Sequence, residues 1–340
     1  LAAEGLVLDA GQRRGGRGQP ATRLAVDPDG RLSLGVNVDR DHITAVLLDL
    51  AGAVRARRTR EGPLADPQTT AATVRRMARE LVDDVAAARR RPLLGVGLAI
   101  PDDLDSVDLP TLHPREGWGA VDIVSLFTSA LGLPVQVEND AAAAAIGELH
   151  FGRGLGAPSF FYVLITAGLG GGLVVDGEYF RGANGRSGEI GFLPLHGADG
   201  EARTLQEEVS LSALVAHLAV HGLAVDRPSS LADLPPRAAR LVDAWLDRAA
   251  DLLTEPLKAI GWLIDPAAVL LGGRLPPAML DDLAGRLALR LEGRGPPACA
   301  RTPVLRAAAA EDAPAVGAAI LPFLLHVLPS RSTLLKVAEG

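Results

Sequence analysis

Three short segments in the middle of the chain decide its fold: Glu138-Asn139-Asp140, the glycine-rich TAGLGGG at 166–172, and a second glycine-rich segment, RGANGRSGEIGF, at 181–192. The acidic triplet follows a predicted strand at 135–137 and precedes five alanines, so it lies at a strand–helix junction, where Asn or Asp caps a helix. The first glycine-rich segment follows the apolar run 160–165, which is typical of a buried strand entering a tight turn. Taken singly, each segment is explained by these local roles.

The composition excludes several classes of protein. The chain has 340 residues, of which 48% are hydrophobic and 22% charged, as in a globular protein long enough for two lobes. A net charge of -7 argues against a nucleic-acid surface over the whole chain. Its one cysteine, Cys299, permits neither an internal disulfide nor a multi-cysteine zinc site. Without a membrane-length apolar run or a signal-peptide core, we expect a cytoplasmic protein with no membrane partner.

Residues 1–33 carry a basic cluster in an otherwise acidic chain. Two short strands are predicted on either side of a segment rich in glycine and arginine, in which Arg13, Arg14 and Arg17 lie without an acidic neighbour. A strand, a basic tip and a second strand outline the wing of a winged helix. A flexible basic leader is the simpler explanation of the same residues, and on this segment alone we favour it.

The rest of the pattern alternates between predicted strands and helices. Strands are predicted at 31–38, 44–50, 93–100, 160–166 and 267–271, and helices at 66–91, 121–131, 211–220, 236–264 and 277–294. Asp66-Pro67 begins the first of these helices, because an Asp cap followed by Pro is typical of a helix start. Trp118, near the end of a loop at 102–120, is either a stacking surface for a sugar ring or, as we favour, a packing residue.

In their order and spacing, the three segments, with GANG at 182–185 and GEIG at 188–191, resemble the ROK family (repressors, open reading frames and sugar kinases) of the actin–hexokinase superfamily. The resemblance covers residues 1–328 and implies a two-lobed α/β fold, ribonuclease H-like, with a cleft between the lobes. The implied divisions are a wing remnant of a winged helix-turn-helix at 1–33, a first lobe at 34–136 joined by a C-terminal helix at 312–328, and a second lobe at 137–311.

The resemblance also implies which residues contact a sugar. In the family, the Asp of the acidic triplet takes the proton from a sugar hydroxyl, while the Asn and the Glu of the GEIG motif bind hydroxyl groups. The matching residues are Asp140, Asn139 and Glu189. A further sugar-binding acid of the family corresponds to Glu207. Because the preceding loop is shorter than in the family, the neighbouring Gln206 and Glu208 stay open as alternatives.

One phosphate-binding loop of the family is preserved and the other is not. The glycines that match the preserved contacts are Gly168, Gly170 and Gly171 in one turn and Gly272 and Gly273, which border adenosine in the kinases, in another. In the family's first loop an Asp orients the metal and paired glycines hold phosphate. Here Asn37, Asp39 and Arg40 stand at those positions. Side chains on this turn block the close approach of a phosphate, and carboxylates repel it.

The zinc centre of the family has no counterpart in this sequence. Its zinc- and sugar-binding His corresponds to Phe192, and residues 193–210 contain none of the three expected cysteines. A lone His196 cannot replace them. We therefore predict no bound metal and no resident cofactor, with ATP and Mg²⁺ expected only if the protein is a kinase.

Three functions are compatible with these residues. We favour a sugar-responsive transcriptional regulator without kinase activity, with a small sugar in the cleft, DNA as a partner through the N-terminal domain of the full-length protein, and Arg13, Arg14 and Arg17 in contact with that DNA. The alternative is an ATP-dependent, glucokinase-like sugar kinase with Asp140 as base. The third is a fold that no longer binds a sugar. The resemblance further implies a homo-oligomer, either a dimer or a tetramer.

Overall fold

The computed structural model describes residues 1–13, 21–90, 93–102, 104, 109–110, 112, 117–196, 202–225, 227–292 and 302–328. The strands are β1 (Val7–Arg13), β2 (Ala21–Val26), β3 (Leu32–Asp39), β4 (His42–Asp49), β5 (Val54–Glu61), β6 (Val96–Ala99), β7 (Val135–Glu138), β8 (Phe160–Ile165), β9 (Leu169–Val175), β10 (Glu178–Tyr179), β11 (Pro194–His196), β12 (Ala202–Thr204), β13 (Ala268–Gly273) and β14 (Val304–Arg306). The α-helices are α1 (Pro67–Asp84), α2 (Ala86–Arg90), α3 (Ile123–Leu131), α4 (Asp140–Phe151), α5 (Leu205–Glu208), α6 (Leu211–Val220), α7 (Pro236–Ile264), α8 (Pro277–Leu291) and α9 (Ala313–His326).

Two five-stranded sheets form the centres of two lobes. Their strand orders are β5-β4-β3-β6-β7 and β10-β9-β8-β13-β14. In the first sheet β3 pairs antiparallel with β4 and parallel with β6, and in the second β8 pairs antiparallel with β9 and parallel with β13. Each lobe thus repeats one pattern, with an antiparallel meander on one side of a central strand and parallel strands on the other. This arrangement confirms the predicted two-lobed α/β fold of actin–hexokinase type.

Helices cover both faces of the first sheet, which is why β3 and β4 are buried along their whole length. On one face, Val74 and Leu81 of α1 pack in the same apolar cluster as Leu34 of β3. On the other face, Ala319 and Ile320 of α9 share a cluster with strand β4. A strand that is covered on both faces has a continuous run of apolar residues, instead of alternating apolar and polar residues.

The alanine-rich start of α4 lets three elements meet at short distances. A Cβ on Gly317 of α9 would lie 1.6 Å from the carbonyl oxygen of Ala143 in α4. A Cβ on Gly172 of β9 would lie 2.6 Å from Cβ of Ala145, on the other side of the same helix. Larger side chains at these positions would separate the elements. Helix α4 therefore joins the second sheet to α9, and α9 packs on β3 and β6 of the first sheet.

Several local predictions can be compared with the structure. Asp66 caps α1 through a hydrogen bond that it accepts from Thr69 N at 3.0 Å, which confirms the predicted helix start. The predicted helix 66–91 is interrupted, because Val85 adopts an extended backbone conformation (φ -113°, ψ 111°) between α1 and α2. Trp118 is buried in the core of the first lobe and its Nε1 donates to Ala65 O at 3.2 Å, as the packing interpretation predicts.

The N-terminal residues form a separate two-stranded sheet of β1 and β2. Arg13 is the last residue of β1, and nothing is described for its side chain. The predicted tip with Arg14 and Arg17 lies outside the described residues. The lobe boundaries at 1–33, 34–136 and 137–311 stay predictions. Within the described ranges, no helix has the length and apolar character needed to cross a membrane.

Candidate functional site

A solvent-open cleft lies where the carboxyl ends of the parallel strands of the two lobes face each other. In folds with parallel strands, this end of the sheet is the usual place for a ligand. The structure brings three of the predicted sugar contacts together there, Asn139, Asp140 and Glu189. Asp102, Phe192 and Gln206 line the same cleft.

The triplet at the end of β7 combines helix capping with a polar surface. Asn139 Oδ1 accepts hydrogen bonds from Ala141 N at 2.9 Å and Ala142 N at 3.1 Å, so this residue is the N-cap of α4. Its Nδ2 points away from the helix and donates to Asp102 Oδ2 at 3.4 Å. Asp140 Oδ1 accepts from Ala141 N at 2.8 Å, and Asp140 is only 7% exposed. The cap fixes both side chains at the wall of the cleft.

Backbone contact between the two glycine-rich segments places Glu189 beside the turn after β8. A Cβ on Gly171 would lie 2.4 Å from Gly188 O, and a Cβ on Gly188, where φ is +90°, would lie 2.5 Å from Gly171 O. Arg181, at the start of the second segment, forms a two-pronged ion pair with Glu138 at the end of β7, with one N–H···O distance of 3.1 Å. These glycines are therefore required for close packing, whatever ligand the cleft accepts.

The structure does not bring Glu207, the predicted sugar contact, to the cleft. Its Oε2 accepts hydrogen bonds from the backbone N and hydroxyl group of Thr204, which forms a capping box at the start of α5. Glu208 accepts from two arginines on the outer surface. Gln206 faces the cleft instead and is 3% exposed. The pattern of a Thr followed three residues later by Glu was a sequence signal for the capping role of Glu207.

Gln206 lines the cleft, and its side-chain Nε2 is buried. No group in the described part of the chain hydrogen-bonds its Nε2. A Cβ on Gly168 would lie 3.1 Å from its Oε1, so the amide lies against the preserved glycine turn. A buried amide without a partner costs free energy, and a ligand acceptor would recover it.

The predicted phosphate-loop glycines fall into two groups. Gly168, Gly170 and Gly171 line the cleft. Gly272 and Gly273 pack against β8 instead, where added Cβ atoms would lie 1.8 Å from the Tyr162 hydroxyl oxygen and 1.9 Å from Ile165 O. Only the first group is therefore positioned to contact a ligand in the cleft.

Charged side chains occupy the turn between β3 and β4, where the resemblance places glycines. Asp39 and Arg40 are both buried and both line the cleft. Asp39 Oδ1 accepts from Arg40 N at 2.7 Å, and no described residue hydrogen-bonds its Oδ2. Burial, together with the charge of Asp41, raises the pKa of Asp39. The backbone amide of Arg40 in this turn is therefore already hydrogen-bonded within the protein.

The same turn contains a group of three potential metal ligands. Asp39, Asp41 and His42 each offer one ligand atom, and these atoms lie within 4.8 Å of one another. Two of the three are hydrogen-bonded to each other, since His42 Nδ1 lies 2.7 Å from Asp41 Oδ1, and Asn37 Nδ2 lies 3.2 Å from His42 Nε2. Hydrogen bonds thus link Asp41, His42 and Asn37, while Asp39 accepts from Arg40 N.

We expect protein purified without a metal-binding tag to hold much less than one zinc ion per chain after dialysis. The reason is the single cysteine of the sequence and the apolar ring of Phe192, which is 45% exposed at the cleft. Elemental analysis by mass spectrometry is the measurement, with His42→Ala as a second sample that removes one ligand of the turn. Stoichiometric zinc in the wild type would contradict the prediction, and its loss in His42→Ala would place that zinc at the turn.

Comparison with curated proteins finds both repressors and kinases. The chain is 33% identical to the glucokinase of Halalkalibacterium halodurans over 147 residues, which are 41% of this chain and 44% of that protein. The chain is 27% identical to the xylose repressor of Bacillus subtilis (strain 168) over 195 residues, which are 57% of this chain and 50% of the repressor. The match thus spans about half the length of that protein.

Comparison with solved structures finds both kinases and regulators. The crystal structure of a ROK family glucokinase from Streptomyces griseus in complex with glucose and AMPPNP is 25% identical, with a TM-score of 0.64 and coverage of 85% of this chain and 98% of that one. The crystal structure of a ROK family transcriptional regulator, a homolog of the E. coli MLC protein, gives a TM-score of 0.67 at 18% identity, covering 94% of this chain and 86% of that one. At this identity the second likeness concerns the fold alone.

The family itself follows from the full extent of the match. Residues 33–323 match the profile of the ROK family, which is most of the chain and includes both sheets and the cleft between them. The repeated sheet pattern, the two touching glycine-rich segments and the acidic triplet at the cleft all lie inside that range. The chain belongs to the ROK family.

Proposed function

We propose that the protein is a sugar-responsive transcriptional regulator that binds a sugar in the cleft and does not transfer phosphate. The observation that carries this proposal is the turn between β3 and β4, where the buried side chains of Asp39 and Arg40 fill the position of the phosphate-binding glycines. Asn37 stands in place of the metal-orienting carboxylate. A ROK cleft altered in this way keeps its sugar side and loses its nucleotide side.

The polar groups of the cleft suit a neutral sugar. Each carboxylate of Asp140 and Glu189 can accept hydrogen bonds from two hydroxyl groups, and Gln206 Nε2 can donate one. Phe192 offers an apolar ring for the CH face of a pyranose. Because the relatives include xylose repressors, D-xylose is the first sugar to test.

DNA contact is proposed through the hairpin of β1 and β2 in the full-length protein. Leu24 and Val26 of this hairpin are 61% and 48% exposed, as expected for a sheet that packs against a further element. Arginines at a hairpin tip can enter a minor groove or hold phosphates. We place such a protein in the cytoplasm, as a dimer or tetramer.

A sugar kinase with Asp140 as base is the second candidate. One observation favours the kinase. Three glycines of a phosphate-binding turn of the family, Gly168, Gly170 and Gly171, line the same cleft as Asp140. The likeness to the Streptomyces griseus glucokinase adds support. The altered turn at Asp39 and Arg40 weighs against it.

The proposal predicts that Arg13, Arg14 and Arg17 contribute to DNA binding. In the full-length protein, changing all three to Ala should weaken binding to its own promoter region. The slope of log affinity against log salt should fall by up to about three, since each phosphate contact contributes about one. D-xylose and other sugars are then added to the wild-type complex, and the effective sugar should change its affinity for DNA.

A matched control separates the hairpin from general charge effects. Arg75, Arg76 and Arg79 lie exposed on α1, so replacing them by Ala removes the same charge from another surface. The control should keep both the affinity and the salt slope. If the two triple variants had the same DNA affinity and the same salt slope, the hairpin would not act as a wing. If the full-length protein formed no specific DNA complex, the regulator proposal would be wrong.

A further inference from the structure

An arginine from the second lobe binds two carboxylates of the first lobe. Arg274 follows directly after β13, and its side chain is only 3% exposed. Its Nη1 donates to Asp41 Oδ2 at 2.9 Å, and its Nη2 donates to Glu61 Oε1 at 2.8 Å. Asp41 lies in the turn between β3 and β4, and Glu61 ends β5. One guanidinium group therefore joins the two lobes across sequence separations of 233 and 213 residues.

This ion pair lies between two cavities. Arg274 lines a second cavity together with Gly273, Ser229 and Pro277. Its partner Asp41 is the immediate neighbour of Arg40, which lines the cleft of the sugar contacts. In the kinase arrangement that the family resemblance implies, adenosine borders the Gly272-Gly273 turn and the phosphates run from there to the turn between β3 and β4. The Arg274 side chain joins these two turns, since it follows Gly273 directly and donates to Asp41.

The surroundings keep this ion pair charged. Burial alone would raise the pKa of Asp41, but the hydrogen bond and electrostatic interaction with His42, together with the charge of Arg274, outweigh it and lower that pKa. A buried ion pair is favourable only when further hydrogen bonds satisfy its members, and Asp41 has that support from His42. Arg274 in turn has two carboxylate partners.

We propose that Arg274, with Asp41 and Glu61, is an internal latch that takes the place of nucleotide phosphates between the lobes. The latch ties the turn that carries Asp39 and Arg40 to the second lobe, and so holds the cleft in its ligand-binding arrangement without ATP. Arg274 acts as a positioning residue, since it contacts the turn and not the cleft. The expected effect of Arg274 on sugar binding rests on the proposed function. Its expected effect on the distance between the lobes does not.

The arrangement of the lobes is measured first, without any ligand. Spin labels on Arg76→Cys in α1 and Arg240→Cys in α7, both exposed positions, report the distance between the lobes when Cys299 is changed to Ser. Arg274→Gln should shift or widen the distance distribution. Arg306→Gln removes an ion pair with Asp281 inside the second lobe and should leave the distribution unchanged. An Arg274→Gln distribution equal to that of the wild type would overturn the proposal.

Sugar binding is measured second, by calorimetry with D-xylose, D-glucose and N-acetylglucosamine. For a sugar that binds the wild type, Arg274→Gln should raise Kd at least about tenfold, which is within the usual range of coupling between two sites. Arg274→Lys, which keeps the charge, should recover part of the affinity. If Arg274→Gln changed the distance between the lobes but not Kd, the latch would have no effect on sugar binding. If none of these sugars binds the wild type, the sugar proposal fails for this panel, and the distance measurement still decides the latch.

Two further variants keep the test decisive if Arg274→Gln does not fold. Glu61→Gln removes the charge of a carboxylate that is 22% exposed, and should shift the lobe distance in the same direction by a smaller amount. Asp41→Asn combined with Glu61→Gln should reproduce the full change. Unchanged distances in this double variant would overturn the latch. Addition of AMPPNP to these variants should not return the distance between the spin labels to its wild-type value. If it did, a nucleotide could still bind between the lobes.

Discussion

Supplied with ATP, Mg²⁺ and D-glucose, N-acetylglucosamine or N-acetylmannosamine, the purified protein should release ADP at least about a thousandfold more slowly than the roughly 1–100 per second of kinases. Phosphoryl transfer depends on preorganised amides and a metal-orienting carboxylate, because there is little other chemistry for the protein to supply. Asn37 stands where the family resemblance places that carboxylate, and the backbone amide of Arg40 already donates to the buried Asp39. A coupled ADP-release assay measures the rate.

Two controls make a low rate interpretable. A ROK glucokinase, assayed in the same mixture, shows that the coupling enzymes and the sugar are adequate. Asp140→Asn identifies the source of any residual rate, since ADP release that persists in this variant comes from a contaminant or from another site. Wild-type turnover of about 1 per second or more, lost in Asp140→Asn, would establish the kinase candidate and reject the regulator proposal in its present form.

The fold could be predicted because its closest backbone contacts leave a trace in the sequence. Gly171 and Gly188 touch each other's carbonyl oxygens, and Gly317 touches the alanine-rich start of α4. Such contacts admit no larger side chain, so they appear as glycine-rich and alanine-rich segments at fixed places along the chain. The buried strands add continuous apolar runs, which are also visible locally.

The ion pairs of the site could not be predicted in the same way. Arg274 finds Asp41 and Glu61 across more than 200 residues, and charged residues at such distances have no period or spacing that marks them as partners. The choice among Gln206, Glu207 and Glu208 after β12 was open for a different reason. The loop before them is shorter than the family resemblance implies, so the sequence could not fix the register; in the structure Gln206 lines the cleft and Glu207 caps α5. The interruption of the helix at Val85 has no Gly or Pro beside it, so the sequence contained no sign that α1 ends there.

The sugar contacts predict the second large effect. For whichever sugar binds the wild type most tightly, Asp140→Asn and Glu189→Gln should each raise Kd by about 10- to 100-fold, since a hydrogen bond to a charged group contributes roughly 1.5–3 kcal/mol. Both substitutions keep the shape of the side chain and remove its charge. Asn139 still caps α4 in these variants, so thermal stability should change little. Calorimetry and thermal unfolding are measured on the same samples.

Glu207→Gln is the matched control, because it makes the same chemical change one residue away from the cleft-facing Gln206. Glutamine can also serve in a capping box, so α5 should keep its start. We expect Kd to stay within about twofold of the wild type, as for a substitution that touches no ligand. Gln206→Leu, by contrast, removes the donor that faces the cleft and should weaken binding. If Glu207→Gln weakened binding as much as Glu189→Gln while Gln206→Leu did not, the family's acid would act at position 207 after all. If Kd were unchanged in both Asp140→Asn and Glu189→Gln for every sugar that binds, the ligand would lie outside this cleft.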